Sequence, residues 1–412
     1  MKYQHRVLAL LSALSVITYL DRVCIGVAGP RMQDALHISP EAWGWVTSVF
    51  FISYSAFEIP TGALGDRIGP RKVLTRVVLW WSAFTSLTGM VTSYPLLLLA
   101  RFCFGMGEAG AYPNVAVVIG RWMPRKRRAR AWGTIWMTSQ IGAALSPLLV
   151  VPLQSHYGWR ASFFIFGLLG ILWAVVWFGW FRDHPAQMPG VGEAERLEIS
   201  EGEPPQPHAG TPWPLLLRSR GMWQITAIMC CYVYSLSFFQ SWLQTYLVRG
   251  RGFSEHALVW SSLTYVVGAI ANILGGFTSD LMVHRFGLRN GRRMVGIAGL
   301  TFSATFFAAT VLTKDTTLSL VFLSLAYGGM LFQQPGACVA CLDIGRKYAG
   351  AVFGFANMMG NGAAALSSVI FGYLVTRYGS YDVPLIPMTA MLALGAVLWL
   401  GMDASKVIDS GA

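Results

Sequence analysis

The chain has 412 residues, of which 54% are hydrophobic and 12% charged, with a formal net charge of +12. Soluble domains carry about a quarter of their residues as charges, so a soluble enzyme is excluded and no room remains for a large aqueous domain. The positive charges fall in short segments between apolar runs, not on one basic face; this excludes a nucleic-acid surface and fits the Lys/Arg bias of cytoplasmic loops.

Apolar runs of about 20 residues recur from end to end, each long enough to cross a bilayer. They predict an all-α membrane protein of twelve transmembrane helices in two pseudo-symmetric six-helix bundles. The first six spans are predicted over 7–29, 43–64, 73–92, 95–119, 131–152 and 161–181. The start is basic and then apolar, like a signal peptide, but it lacks a small-x-small cleavage site and many spans follow, so it reads as a retained first helix. Segment 182–219, rich in Pro, Gly and Glu, reads as a flexible cytoplasmic linker between an N-terminal bundle (1–181) and a C-terminal bundle (220–412). The second six spans are predicted over 220–248, 256–279, 294–312, 316–341, 348–375 and 383–402. Lys and Arg number 23 in the inner segments and 6 in the outer loops, which places both termini in the cytoplasm. All six cysteines lie in apolar runs. Cys338 and Cys341 form a C-x-x-C without a βαβ context or a second pair, and read as small buried hydrophobes, not a metal or redox site.

The first and fourth predicted spans hold four charges between them: Asp21 and Arg22 in the first, Arg101 and Glu108 in the fourth. Ionisable groups at bilayer depth are expensive and by default mark a substrate or ion path. At 1.5 Å per residue, Asp21, Arg22 and Arg101 come out level, with Glu108 about 10 Å nearer the cytoplasm. Tyr54, Gln140 and Asn357 fall near the midplane, the level at which transporters of this plan bind substrate. Arginine's planar fork matches a carboxylate, and an arginine in the empty site needs an internal counter-ion. Asp21 is expected to pair with Arg22 or Arg101, to release it on protonation, and so to link anion and proton uptake. Glu108 is expected to carry a second proton. Glu58 is a further intramembrane acid, either a packing hydrogen bonder or a third titrating group. In Gly105-x-Gly107-x-x-Gly110 no strand precedes the glycines, so the pattern reads as close helix packing and not as a dinucleotide fingerprint. Gly350-x-x-x-Gly354 has the same reading.

The stretch after span 2, GALGDRIGPRK (62–72), recurs in kind after span 8 as GGFTSDLMVHRFGLRNGRR (275–293). This repeat indicates two homologous halves. The first copy resembles the loop 2–3 signature of the major facilitator superfamily, in which Asp66 and Arg67, with Asp280 in the second half, would latch one conformation. A finer resemblance is to the anion:cation symporter family, which includes sugar-acid transporters, sialin and vesicular glutamate transporters. It is carried by TYLDR (18–22), ARFCFGMGEAGAYPN (100–114), RWMPRKRRARAWG (121–133) and FGFANMMGN (353–361). This resemblance implies that Asp21 and Glu108 respond to protons and that Arg22 binds the substrate carboxylate. It also implies that Tyr19, Tyr54, Gln140 and Asn357 line the site, with Asn361 in the same stretch. Span 10 departs from the sugar-acid branch: Gln333 and Gln334 stand where those relatives tend to have Gly-Trp. Span 7 adds Tyr234.

The expected function is proton-coupled symport of a small organic anion, a sugar acid or other carboxylate, into the cytoplasm. No enzyme activity, metal or cofactor is expected beyond the coupling proton. The partners are the anion, the proton and the lipid bilayer, and the working unit is a monomer. The absence of an N-x-S/T sequon and the short first outer loop point to a bacterial inner membrane. A proton-exchanging exporter is the rival mechanism, but TIWMTSQIGAALSPLL in span 5 lacks the G-x-x-x-G-P-x-x-G-G pattern of that class. A receptor or membrane enzyme finds no supporting motif.

Overall fold

The computed structural model describes residues 2–124, 127–200 and 213–408. Among these residues all regular structure is helical. The helices are α1 (Tyr3–Ala35), α2 (Pro40–Ile68), α3 (Pro70–Thr88), α4 (Tyr94–Glu108), α5 (Ala111–Trp122), α6 (Arg128–Tyr157) and α7 (Trp159–Trp180), then the short α8 (Glu193–Ser200) and α9 (Trp213–Arg218). They continue with α10 (Arg220–Ser241), α11 (Leu243–Thr245), α12 (Ser262–Leu312), α13 (Thr316–Gly345), α14 (Ala349–Tyr378) and α15 (Leu385–Gly401). Seven of the helical stretches among the described residues are long and apolar enough to cross a membrane. Helices α4 and α5 make one interrupted passage, and α12 folds back at Gly287 to make two. The twelve apolar passages of a two-bundle membrane protein follow, six over 3–180 and six over 220–401.

The fold-back of α12 has a local cause. Gly287 has φ 79° and ψ 165°, outside the range open to side-chain-bearing residues. Its counterpart in the repeated loop, Gly69 between α2 and α3, has φ 87° and ψ 142°. The two halves thus turn at equivalent places by the same backbone device. Linker composition suggests irregular chain, yet α8 and α9 stand within 182–219; residues 201–212 lie outside the described part. The spacing in span 11 suggests a packing role for Gly350 and Gly354, but both face open space, so close helix contact does not explain them.

Two compact units divide the chain. One comprises Met1–Ile25 with Ile52–His208, the other Gly26–Phe51 with Ala209–Ala412. In the first, α7 buries Trp159, Phe163, Phe166, Trp173 and Trp177 at helical spacing while Leu168, Leu172 and Val175 on its other face are exposed. A helix apolar on every side belongs in lipid. The rings of Trp173, Trp177 and Phe181 stack in series at 5.0 and 3.9 Å. The second unit is centred on an aromatic cluster in which Phe239 meets Tyr327 at 4.7 Å and Trp242 meets Phe371 at 4.4 Å.

Candidate functional site

The charged residues of the first unit converge through three helices. Arg22 lies one turn beyond Tyr19 on α1, so both share a face. Tyr54 comes from α2, and Glu108 is the last residue of α4. Helix α4 stops there because Pro113, four residues beyond Ala109, has no N–H to donate to that carbonyl and crowds it. Just beyond the break, Asn114 donates both its backbone N–H (3.3 Å) and its side-chain nitrogen (2.7 Å) to the Gly110 carbonyl. The flanking glycines serve close approach, as their spacing suggests. A Cβ on Gly107 would lie 2.2 Å from the Trp80 ring, and one on Gly110 would lie 2.3 Å from Thr61. Trp80 donates Nε1 to the Cys103 carbonyl at 2.8 Å, which anchors α3 against α4.

At the centre, Arg22 Nε donates to Glu108 Oε1 at 2.6 Å, with side-chain exposures of 10% and 1%. The guanidinium also lies over the rings of Tyr54 (4.8 Å) and Tyr19 (5.4 Å). It is held by a carboxylate and by two aromatic faces, each of which favours a desolvated cation. This corrects the expected pairing. Asp21 is buried, and neither of its carboxylate oxygens makes a hydrogen bond among the described residues. Neighbouring residues on a helix diverge by about 100°, so Asp21 cannot share the direction of Arg22. The separation of Arg22 and Glu108 into two layers is corrected as well, because it counts backbone rise alone and the long arginine side chain reaches along the axis to the glutamate.

Arg101 is buried and covers the Phe104 ring at 4.7 Å. Gln140 is buried on α6, and Glu58 follows Tyr54 by one turn on α2. One turn beyond Glu108, Tyr112 stacks on Trp136 at 5.3 Å. Its hydroxyl meets Ser139 Oγ at 3.0 Å and Ser15 Oγ at 3.1 Å. The structure therefore brings together Tyr19, Arg22, Tyr54 and Glu108, and adds Tyr112, Ser15 and Ser139 beside them.

The remaining expected site residues belong to the second unit. Tyr234 is buried on α10. Asn357 and Asn361 stand one turn apart on α14, with the Asn361 side chain donating to the Asn357 carbonyl at 2.9 Å. Gln333 is fully buried against α12, its Cβ 2.9 Å from where a Cβ on Gly299 would stand. Gln334, by contrast, is half-buried and accepts from Asn272 of α12 at 2.9 Å.

Of the expected latch, the side chain of Asp66 lies outside the described residues, and Arg67 is exposed. Asp183, just after α7, caps that turn by accepting from the Arg71 backbone N–H at 2.8 Å. In the second half, Asp280 is 83% exposed and 3.6 Å from Arg292. The buried bonds of Arg292 go to Ser279 Oγ (2.6 Å) and Asp343 (3.2 Å). Sequence reasoning missed Asp183, Tyr112, Asn272, Arg292 and Asp343. Tyr112 and Arg292 lie inside stretches singled out by their motifs, 100–114 and 275–293, which flagged the region without flagging the residue.

Comparison with known proteins places the chain in context. The profile of the Major Facilitator Superfamily matches residues 11–368. The probable sulfoacetate transporter SauU of Cupriavidus necator is 34% identical, covering 99% of this chain and 96% of that protein. The probable galactarate/D-glucarate transporter GudP of Bacillus subtilis is 29% identical over 97% of this chain and 89% of that one. Among solved structures, a bacterial homolog of the human lysosomal transporter Spinster has a TM-score of 0.77 at 20% identity, covering 98% of this chain and 97% of that one. That last likeness is one of fold.

Proposed function

Because this chain belongs to the major facilitator superfamily, we propose that it carries a small organic anion into the cytoplasm together with protons, by alternating access. The relatives named for sulfoacetate and for galactarate and glucarate share a carboxylate in their substrates. The observation that carries the reading is the dry Arg22–Glu108 pair between two tyrosine rings. Glu108 is the counter-ion of Arg22. A proton on Glu108 removes that charge and frees the guanidinium fork for a substrate carboxylate. Anion and proton then favour each other's binding, which is the thermodynamic content of symport.

Asp21, with both oxygens open to a proton, is the second acid, and buried Arg101 supplies a second positive charge in the same unit. Tyr19 and Tyr54 keep the guanidinium dry and oriented. Gln140, Gln334 and Asn357 supply neutral polar contacts. The 34% identity to the probable sulfoacetate transporter favours a compact carboxylate such as a sulfo-acid over a sugar acid. The chain works as a monomer in a bacterial cytoplasmic membrane with both termini inside.

The test uses purified protein in proteoliposomes offered sulfoacetate, a hexuronate and an aromatic carboxylate. An inward proton gradient is expected to drive accumulation of one class. Glu108→Gln is expected to abolish accumulation while keeping counterflow, because the arginine stays free whether or not a proton is present. Uptake indifferent to the gradient, or equal loss of both activities in Glu108→Gln, would defeat the proposal.

A further inference from the structure

Two glycines of the second unit fix where α12 and α13 touch. A Cβ on Gly268 would lie 2.3 Å from the Tyr327 ring, and one on Gly328 would lie 3.0 Å from Val267. The helices meet there because neither glycine carries a side chain to hold them apart. Beyond this contact, toward the end of the bundle opposite the Gly287 turn, lies a recess of about 390 Å³. It is walled by Trp260, Leu263 and Val267 on one side and by Leu320, Val321 and Ser324 on the other. That is the size of a small-ligand pocket.

The recess is apolar and opens sideways. The hydroxyls at its floor satisfy each other: Thr264 Oγ1 meets Ser324 Oγ at 2.9 Å, and Ser324 donates to the Leu320 carbonyl at 2.8 Å. Nothing there calls for a water or a polar ligand. At the mouth Trp260, Leu263 and Val321 are exposed, and in a membrane protein such a face meets hydrocarbon.

The rim, by contrast, is charged. Lys314 and Asp315 lie in the connection between α12 and α13, and Thr317 of the recess wall stands just beyond them. Arg251 takes both oxygens of Asp382, at 3.0 and 2.7 Å. Lys314 only approaches that carboxylate at 3.4 Å and is 82% exposed, so its ammonium keeps donors to offer. Asp315 caps α13 with one oxygen, accepting from the Leu318 N–H at 2.7 Å; the residue is exposed, and its other oxygen faces outward. A cation and an anion thus stand side by side above an apolar slot.

We propose that this recess is a specific site for a zwitterionic amine phospholipid. One acyl chain lies between α12 and α13, the phosphate accepts from Lys314, and the headgroup ammonium donates to Asp315. An acyl chain gains nothing hydrophobically by leaving the bilayer. It binds because filling the recess supplies the dispersion contacts that the walls of a void lack, and the rim selects the headgroup. A purely anionic headgroup reaches Lys314 equally well but meets the Asp315 carboxylate. The site stands apart from the anion site proposed for the first unit and does not depend on it.

The test is native mass spectrometry of the full chain in detergent micelles, titrated with equimolar phosphatidylethanolamine and phosphatidylglycerol of the same acyl chains. Wild-type protein is expected to retain phosphatidylethanolamine over phosphatidylglycerol by about two- to fivefold. Val321→Trp fills the recess from an exposed wall and is expected to weaken retention about tenfold. Leu263→Trp does the same from the opposite wall and decides the matter should Val321→Trp fail to fold. Asp315→Asn keeps the cap, because asparagine caps as well as aspartate, and is expected to bring the headgroup ratio to one or below. Unchanged retention in a folded tryptophan variant overturns the site. Equal retention of the two lipids by wild type, or an unchanged ratio in Asp315→Asn, overturns the headgroup assignment. A lipid-free dimer that Val321→Trp dissociates would make a second copy the occupant and also overturns the proposal. None of these readouts involves transport, so their failure leaves the anion reading standing.

Discussion

At the scale of residues, the decisive fact is which acid holds Arg22. Asp21 is its chain neighbour, yet Glu108 from another helix takes the contact at 2.6 Å. Arg22→Lys is therefore expected to weaken substrate binding by about ten- to a hundredfold, since an ammonium keeps the charge but loses the planar fork. Titration calorimetry with a transported acid checks this, and wild-type affinity would remove Arg22 from the carboxylate site. The residues themselves were legible: Arg22 and Glu108 as charges in apolar runs, Tyr54 by its depth, and Tyr19 through the family resemblance. Their pairing was not, because backbone rise says how deep a Cα lies and nothing about where a six-bond side chain ends.

At the scale of elements, the placement of the spans was legible from hydrophobic run length, and the interruptions less so. The break between α4 and α5 follows from Pro113, whose effect on a carbonyl four residues back can be read from sequence once the helix is assumed. Close approaches are legible as glycines but not as to their partners. Gly142 of α6 faces α1, and a Cβ there would lie 2.3 Å from the backbone oxygen of Val16. Gly142→Ala is expected to destabilise the protein by about 1–3 kcal/mol through overpacking, seen as a lowered thermal midpoint in detergent. Gly354→Ala, in open space, is the neutral control.

Helix α8 shows the converse, an ordered element in a stretch whose composition suggests none. Glu198 bonds Lys2 at 2.6 Å and Arg127 at 3.0 Å. The Lys2 hydrogen bond, joined by the Arg127 charge, holds its carboxyl below the ordinary carboxylate value. A lowered folded value means that the contact contributes in full at neutral pH and fades as pH falls through that value. Glu198→Gln is expected to imitate the low-pH state at neutral pH, with faster tryptic cleavage at exposed Arg196. An unchanged cleavage rate would show that α8 is held by its apolar contacts alone.

At the scale of the whole molecule, the compact units do not coincide with the sequence halves. Residues 26–51, the end of α1 and the start of α2, cluster with the C-terminal half. Within that unit Arg31 Nε donates to Glu255 at 2.7 Å and Arg249 pairs with Asp34 at 2.6 Å. Gly44 of α2 sits so close to α14 that a Cβ would lie 2.6 Å from the Ser368 oxygen. Exposed ion pairs contribute about 0.2–1 kcal/mol, so Glu255→Arg is expected to change counterflow by no more than about fivefold. The double change Arg31→Glu with Glu255→Arg is expected to restore it. Failure of the double change to recover would mean that the pair has no role in the transport cycle.

The sequence by itself determined the membrane class, the twelve passages, the two-fold repeat and the superfamily, because these depend on run length, periodicity and local turn chemistry. It also marked which polar residues are costly to place in lipid. Only the tertiary structure decided the partners: Glu108 and not Asp21 for Arg22, Asn272 for Gln334, Asp183 for the α2–α3 turn, and the second unit for residues 26–51. Each of these joins segments far apart in the chain. Such contacts depend on helix rotation and side-chain reach, which no period in the sequence encodes.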